Sequence, residues 1–472
     1  MGRLREAGGV TVELIRKLSD VEAAFAYTHG LLKGNTQVTT WASVDALFGE
    51  AELEAAVRRW ARRLPLLRAR IEERDGSLWF REGPEPEPEQ LRHGQLPAGA
   101  APEDLQGEEL NDVLPTGGAL WRLRAAADRR AGVTHLYFTR NHAISDGHST
   151  GGTLRVLLEE LFGAPEDAGP EPFSRNGDEL TYRTPATDTP EAAAVPEAPA
   201  DPIPFAVRAP WPERGAAFVP VDLTATESDA VKLYCRRRGL TVNQFFATAL
   251  AESFALTTGR DEVDFFTAVS LRRRYAETEH LTDLGCYISV VRAPLRLDGA
   301  GFKDHAQAYR DGFRAADAAW RPVVREHREI RAAVEATAAA DSSPGICITN
   351  VGPVDASLGA HVERVTGFRT VVNRTGANYG VVLHLSTFRG AFGLALSYGT
   401  PSVDRAVVEG TAKLLRERVA LAAGAAPGED PRPRPPYGSV ASPAVPVARQ
   451  RPAGRGRAAR GSTPRTRPYA AG

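Results

Sequence analysis

The chain is poor in cysteine, has no long apolar run and carries no excess of either charge, and each of these absences closes off a class of function. Only Cys235, Cys286 and Cys347 occur in 472 residues, far apart and without a C-x-x-C pair. That excludes a disulfide framework and a cysteine-rich zinc site, and it reads as three small apolar thiols in a core, in a reducing compartment. No segment approaches the roughly 20 apolar residues that a membrane-spanning helix needs. The opening stretch MGRLREAGGVTVELIRKL holds no apolar run of signal-peptide length. The expectation is a cytoplasmic protein with no membrane span. Lys and Arg number 58 against 59 Asp and Glu, so no bulk field draws in nucleic acid. There is no short-period repeat, which removes solenoids.

What remains is an ordinary globular composition, 42% hydrophobic and 25% charged, on a chain long enough for two lobes, each with a core. Two composition shifts divide it. Gly163 to Ala216 is dense in Pro, Ala and acid, as in PATDTPEAAAVPEAPADPIP, and reads as a linker or crossover. Ala425 to Gly472 is rich in Pro, Gly and Arg, with nine arginines against Glu429 and Asp430, and reads as a disordered basic tail. The resulting division is an N-terminal lobe over residues 1–175, a linker over 176–216, a C-terminal lobe over 217–424 and a tail over 425–472.

Both lobes read as mixed α/β. Leu53, Val57, Trp60 and Leu64 recur at helical spacing, and Pro65 ends that helix. Leu67, Ala69 and Ile71 then alternate with Arg68, Arg70 and Glu72 as a half-buried strand. Val133 to Thr139 reads as a strand, and Leu154, Leu157, Leu158 and Leu161 stripe the helix after it. In the second half Thr241-Val-Asn-Gln244 has capping-box spacing before a helix, and Val263 to Val269 reads as a strand. Val381 to Phe388 and Ala391 to Tyr398 flank Arg389-Gly390 as a hairpin, and Ser402 to Val419 closes the fold as an amphipathic helix.

The segment that carries chemistry is THLYFTRNHAISDGHSTGGTLRVLLEEL, Thr134 to Leu161. A strand delivers Asn141-His142, a turn carries Asp146-Gly147, and a helix follows. Histidine titrates near neutrality unaided, which suits a general base, provided packing holds it in one orientation. A tight turn at a strand end does this, and a glycine after the aspartate relieves the backbone or lets a substrate approach it. The aspartate four residues on suits an anchor of the turn, and for that it needs a cationic partner such as a buried arginine.

His-x-x-x-Asp-Gly after a strand resembles the mark of the chloramphenicol-acetyltransferase-like acyltransferases. That superfamily includes nonribosomal condensation domains, plant alcohol acyltransferases and polyketide-associated acyltransferases. RKLSDVEAAF, ELEAAVRRWARRLPLLRARI, TVNQFFATALAESFAL, AVSLRRRY and ITNVGPV resemble further family segments in the same order and spread the likeness over residues 14 to 420. The resemblance implies two α/β lobes in a V shape, mixed sheets with flanking helices, and an active-site tunnel between the lobes. It implies acyl transfer from an acyl-CoA or a phosphopantetheinyl carrier protein to a small-molecule hydroxyl or amine acceptor, in natural-product or lipid biosynthesis, with no covalent intermediate and no bound cofactor.

The resemblance implies that His142 is the base, that Asp146 is structural and that Gly147 sits where backbone donors line the reacting centre. It also implies that Arg272, with Arg274 in reserve, pairs with Asp146. Asn141 supports the motif from the position where many condensation domains carry a first histidine. The resemblance further implies that Thr349 and Asn350 line the cleft from the second lobe. Neither an adenylation nor a carrier domain occurs in the sequence, so a stand-alone enzyme is expected, and the two-lobed family implies a monomer.

Other readings compete. His142, Asp146 and His148 could share a metal, but Gly147 and the strand–turn context argue against a helix there and no fourth ligand is evident. His142 could be a core histidine, which would leave the other matching segments unexplained. His135 and His384 lie within strand patterns and read as satisfied structural residues. Asn373-Arg-Thr375 fits a glycosylation pattern that a cytoplasmic protein would not use. A condensation-type enzyme on carrier-bound substrates and a non-catalytic recruiter of partners share the same scaffold.

Overall fold

The alternating and helical stripes of the sequence become two mixed sheets with helices against them. The computed structural model describes residues 14–163, 169–183, 201–277, 281–282, 284–299 and 301–424. In the first half lie strands β1 (Leu14–Lys17), β2 (Val38–Val44), β3 (Ala69–Arg74), β4 (Ser77–Glu82), β5 (Leu91–Gln95), β6 (Trp121–Asp128) and β7 (Val133–Arg140). Helices α1 (Asp20–Leu31), α2 (Glu50–Arg63), α3 (Pro102–Asn111) and α4 (Ser149–Phe162) alternate with them. The second half adds β8 (Ile203–Pro204), β9 (Gly215–Pro220), β10 (Glu262–Ser270), β11 (Ile288–Arg296), β12 (Ser342–Ser343), β13 (Ile346–Pro353), β14 (Val365–Val372), β15 (Val382–Phe388) and β16 (Ala391–Thr400). Its helices are α5 (Ala225–Arg238), α6 (Val242–Thr258), α7 (Phe302–Ala319), α8 (His327–Ala338) and α9 (Arg405–Gly424).

The first sheet runs β14-β2-β7-β6-β5, with only β5 and β6 parallel. Leu53, Val57 and Trp60 of α2 and Leu154, Leu157 and Leu158 of α4 bury against Val44, Leu123 and Phe138 on one face. Leu105 of α3 packs with Ala126 and Tyr137 on the other. The pleat explains this division: neighbours along a strand point to opposite faces, so one sheet carries two cores. Trp60 Nε1 donates to the Thr153 carbonyl at 2.9 Å, which ties α2 to the helix that follows the motif.

The second sheet runs β11-β10-β13-β15-β16-β9, with β13 parallel to both β10 and β15. Ile346, Ile348, Leu383, Leu385, Leu394 and Leu396 bury against the helices α5, α6 and α9. Alternate residues of the same strands, including Cys347, Thr349, Val382 and His384, therefore face the other way. The lobes are α/β in class, and both belong to one compact unit.

The structure corrects several boundaries. The strand after Pro65 starts at Ala69, because Pro65–Arg68 winds a 3-10 turn. Arg70 is buried, not outward, with its Nη2 directed at Glu87 and Gln90. The last helix starts at Arg405, where Asp404 accepts from the Ala406 N–H at 2.9 Å. Residues 217–424 do not keep to one lobe, since β14 completes the edge of the first sheet. Part of the 176–216 segment is packed structure. Leu180 joins Leu271, Tyr275 and Tyr287 in a buried cluster, and β9 edges the second sheet. The expected tail over 425–472 lies outside the described residues. No helix among the described residues is long and apolar enough to cross a membrane.

Candidate active site

β7 ends at Arg140 and gives way to a turn that its own side chains build. Asn141 Oδ1 accepts from the Ala143 N–H at 2.9 Å and starts a single 3-10 turn over His142–Ile144. Ala143 and Ile144 are fully buried, so apolar packing holds the turn from beneath. Arg140 supports it from the side. Its fully buried guanidinium donates to Ser145 Oγ, Thr40 Oγ1 and Thr150 Oγ1 at 2.8, 2.9 and 2.8 Å. These acceptors are all neutral, and burial pulls the Arg140 pKa down to about 9. Sequence reasoning passed over this residue, although a lone arginine ending an otherwise β-forming strand was a visible signal.

Asp146 is the keystone of the turn. Its Oδ1 accepts from the Ser149 N–H at 2.9 Å, at the start of α4. Its Oδ2 accepts from Arg272 Nε at 3.0 Å and from the Tyr287 N–H at 3.1 Å. Burial alone would raise its pKa, but the Arg272 guanidinium and the Ser149 hydrogen bonds outweigh that and hold it below the usual value. Arg272 also donates to the Thr282 carbonyl at 2.7 Å and lies over the Tyr287 ring at 4.7 Å. A first-lobe carboxylate is thereby clamped to the loops beside β10 and β11. Arg274, the reserve partner, is turned away. It pairs with Asp317 and lies 4.1 Å over the Trp320 ring.

His142 lies on this turn with its ring stacked on Phe25 of α1, centroids 4.0 Å apart and planes within 10°. Its Nδ1 has no hydrogen-bond partner. Burial pushes its pKa down to about 4. Arg140 and Arg374 act in the same direction, against its own backbone carbonyl and Asp146. Where histidine unaided would titrate near neutrality, the fold keeps this ring neutral well below pH 7. A neutral ring has a free lone pair, the form that accepts a proton. Phe25 was visible in the sequence only as part of RKLSDVEAAF, and nothing local places it on the imidazole.

The ring lines a chamber of about 30 Å³, room for one water molecule. His142, Gly147 and Thr150 wall it from the first lobe, and Thr349 and His384 from the second. A cavity of about 800 Å³ adjoins it, with Asp146, Gly147, Ile288, Thr349 and Val351 common to both walls. His142 thus lies in the narrow space next to the larger cavity. Gly147 permits the approach, because a Cβ there would come within 2.9 Å of Val351 Cγ1 on β13. Asn350 and His148 line the large cavity but not the chamber. Asn350 Oδ1 is used within its own strand end, accepting from the Gly352 N–H at 2.8 Å.

His135 is a structural acceptor for Trp41 Nε1 at 3.2 Å. Asn373 is fully buried and donates to the Leu110 carbonyl at 2.8 Å, so the Asn373-Arg-Thr375 pattern is not open to modification. Cys235, Cys286 and Cys347 are unpaired and buried. Burial pushes Cys347 up to about 12, leaving it a thiol and a poor nucleophile. Among the described residues no three His, Cys, Asp or Glu side chains are grouped to hold a metal ion.

No protein-family model matches this sequence, and no curated protein matches it. Solved structures do. The trichothecene 15-O-acetyltransferase from Fusarium sporotrichioides superposes with a TM-score of 0.66 at 13% identity, over 89% of this chain and 97% of its own. The first condensation domain of the calcium-dependent antibiotic synthetase gives 0.62 at 17% identity, over 87% and 96%. Polyketide synthase associated protein 5 from Mycobacterium tuberculosis gives 0.56 at 13% identity, over 87% and 99%. These likenesses show the fold: the chain has the architecture that the trichothecene acetyltransferase, the condensation domain and the polyketide-associated protein share.

Proposed function

We propose that this protein is an acyltransferase that moves an acyl group from a coenzyme A or carrier-protein thioester to a hydroxyl or amine of a small molecule, in natural-product or lipid biosynthesis. It acts as a monomer in the cytoplasm and needs no bound cofactor beyond the thioester itself. The observation that carries this reading is a neutral, buried His142 in a one-water chamber at the meeting of the lobes, with a cavity of about 800 Å³ beside it. The likeness to a trichothecene acetyltransferase and to condensation domains supports it.

In the reaction the acceptor's O–H or N–H gives its proton to His142 as the heteroatom attacks the thioester carbonyl. The carbonyl electrons move to oxygen, the tetrahedral adduct collapses, and the C–S bond breaks. His142 then returns the proton to the departing sulfur. The enzyme's main contribution is to hold both substrates in line and away from water. Asp146 and Arg272 act through His142 by fixing its turn, and Thr349 bounds the reacting centre from the other lobe.

The test is thiol release from a panel of acyl-CoA thioesters, with and without pooled alcohols and amines, by the wild type and His142→Ala. Acceptor-dependent release should fall about 10²- to 10⁴-fold in the variant. Release that the variant leaves unchanged removes His142 as the base. A wild type silent with acyl-CoA but active with an acylated carrier protein assigns the donor to the carrier, and a need for a carrier-bound acceptor as well favours the condensation-type reading. Silence with both favours a non-catalytic recruiter.

A further inference from the structure

From the sequence His384 reads as a structural strand residue, and the tertiary structure puts it elsewhere. It lies on β15 in register with Thr349 on the parallel strand β13. Residues paired across a ladder point to the same side of the sheet, and both line the chamber that holds His142. His384 is buried, and its ring has one hydrogen-bond partner, Ser397 Oγ on β16, 2.7 Å from Nε2. Its Nδ1 has none.

The partner fixes the tautomer. Ser397 is fully buried, and among the described residues its hydroxyl makes no other hydrogen bond. If Nε2 carried the proton, the serine hydroxyl would be left with no acceptor in a dry interior, a cost of about 1–3 kcal/mol. If the hydroxyl donates to Nε2, the serine is satisfied and the proton of the neutral ring sits on Nδ1, where a water or a substrate oxygen in the chamber that the ring lines can accept it. Burial holds this ring neutral, reinforced by the positive field of Arg374 and by the neighbouring His142. A neutral imidazole with one N–H is a hydrogen-bond donor and not an acid, a role that neutral histidines can fill opposite a developing oxyanion.

Resting on the acyl-transfer reading above, we propose that His384 is a further catalytic residue, whose Nδ1–H donates to the thioester carbonyl oxygen as it becomes an oxyanion. The division of labour follows the lobes. His142 on the first lobe moves the proton from acceptor to sulfur, and His384 on the second holds the negative oxygen in between and exchanges no proton. When the adduct collapses, the carbonyl re-forms, the C–S bond breaks and the hydrogen bond from His384 weakens. A donor aimed at charge that exists only in the transition state acts on kcat more than on KM.

Two substitutions separate this role from a purely structural one. In His384→Asn the side-chain amide reaches the position of Nδ1 but not Ser397. In His384→Gln it reaches the position of Nε2 and keeps Ser397 but leaves nothing at Nδ1. The expected result is a loss of about 10²- to 10³-fold in kcat for His384→Gln with little change in KM, and a clearly smaller loss for His384→Asn. A His384→Gln enzyme with wild-type kcat beside an active wild type overturns this proposal alone. So does an equal loss in both variants, which is the signature of a structural ring. The tautomer is read without turnover, from nitrogen chemical shifts of ¹⁵N-histidine-labelled protein, with His384→Gln identifying the signal. Protonation at Nδ1 is expected, and protonation at Nε2 overturns the proposal. A wild type silent with every acyl-CoA and acyl-carrier donor overturns the acyl-transfer reading, and the oxyanion role with it.

Discussion

Single residues at this site are held by partners that cannot be lost cheaply. Asp146 and Arg272 are both buried, and their pairing joins a turn to a loop 126 residues away in the chain. Removing one member leaves the other charge buried and alone, which costs about 3–5 kcal/mol. Arg272→Ala should therefore lower the unfolding free energy in urea by about that amount and reduce kcat by loosening the His142 turn. An equally stable and active variant would contradict the clamp. Protonation works on the same scale. Burial holds both His142 and His327 at about pKa 4, below the ordinary value of 6.5. The unfolded chain therefore binds more protons between those values, so their contribution to stability is complete above about pH 6.5 and is lost as pH falls toward 4. For the same reason the acid limb of kcat/KM should lie well below pH 6. A limb at the ordinary histidine value would show that the ring is not buried in the working enzyme.

Elements were legible where local chemistry decides them. Thr241 and Gln244 cap α6 as their spacing predicts, Gln244 N–H to Thr241 Oγ1 at 3.1 Å and Thr241 N–H to Gln244 Oε1 at 2.8 Å. Thr241→Ala should cost about 1 kcal/mol, visible as a lower denaturant midpoint with an unchanged slope. The hairpin of β15 and β16 turns at Arg389-Gly390, where both residues have positive φ, 48° and 77°. This turn twists with its strands and favours glycine at the second position. The strand after Pro65 was read one turn early because alternation alone does not separate a 3-10 turn from the start of a strand.

At the scale of the molecule the lobes are not independent beads. β14 leaves the second half to pair with β2, and Val365 and Phe368 join the core under α2 and α4. Val371 packs with Leu110 of α3 and Ala395 of β16, so one strand contacts both lobes. Unfolding should therefore be one cooperative transition. Trp41, Trp60, Trp79 and Trp121 lie in the first lobe, so with Trp320→Phe and Trp211→Phe in place tryptophan fluorescence reports on that lobe, while far-UV circular dichroism sees both lobes. The two thermal curves should coincide, and a separated pair of midpoints would mean that the crossover strand does not couple the lobes.

The sequence by itself determined the two α/β halves, the strand–turn–helix that carries His142, the cap of α6 and the hairpin. These follow from periodicity, turn chemistry and hydrogen bonds within a few residues, all of which act over short stretches of chain. Resemblance to known segments, not spacing, singled out Arg272 from its neighbours Arg273 and Arg274. Only the tertiary structure decided which arginine faces Asp146, that Phe25 stacks on His142, that β14 crosses to the first sheet and that His384 faces the chamber. Each of these depends on which strands are neighbours and which face of the pleat turns inward. A histidine in an alternating strand reads the same whether its face meets solvent, core or a reacting centre, because the choice is made by an element far away in the chain.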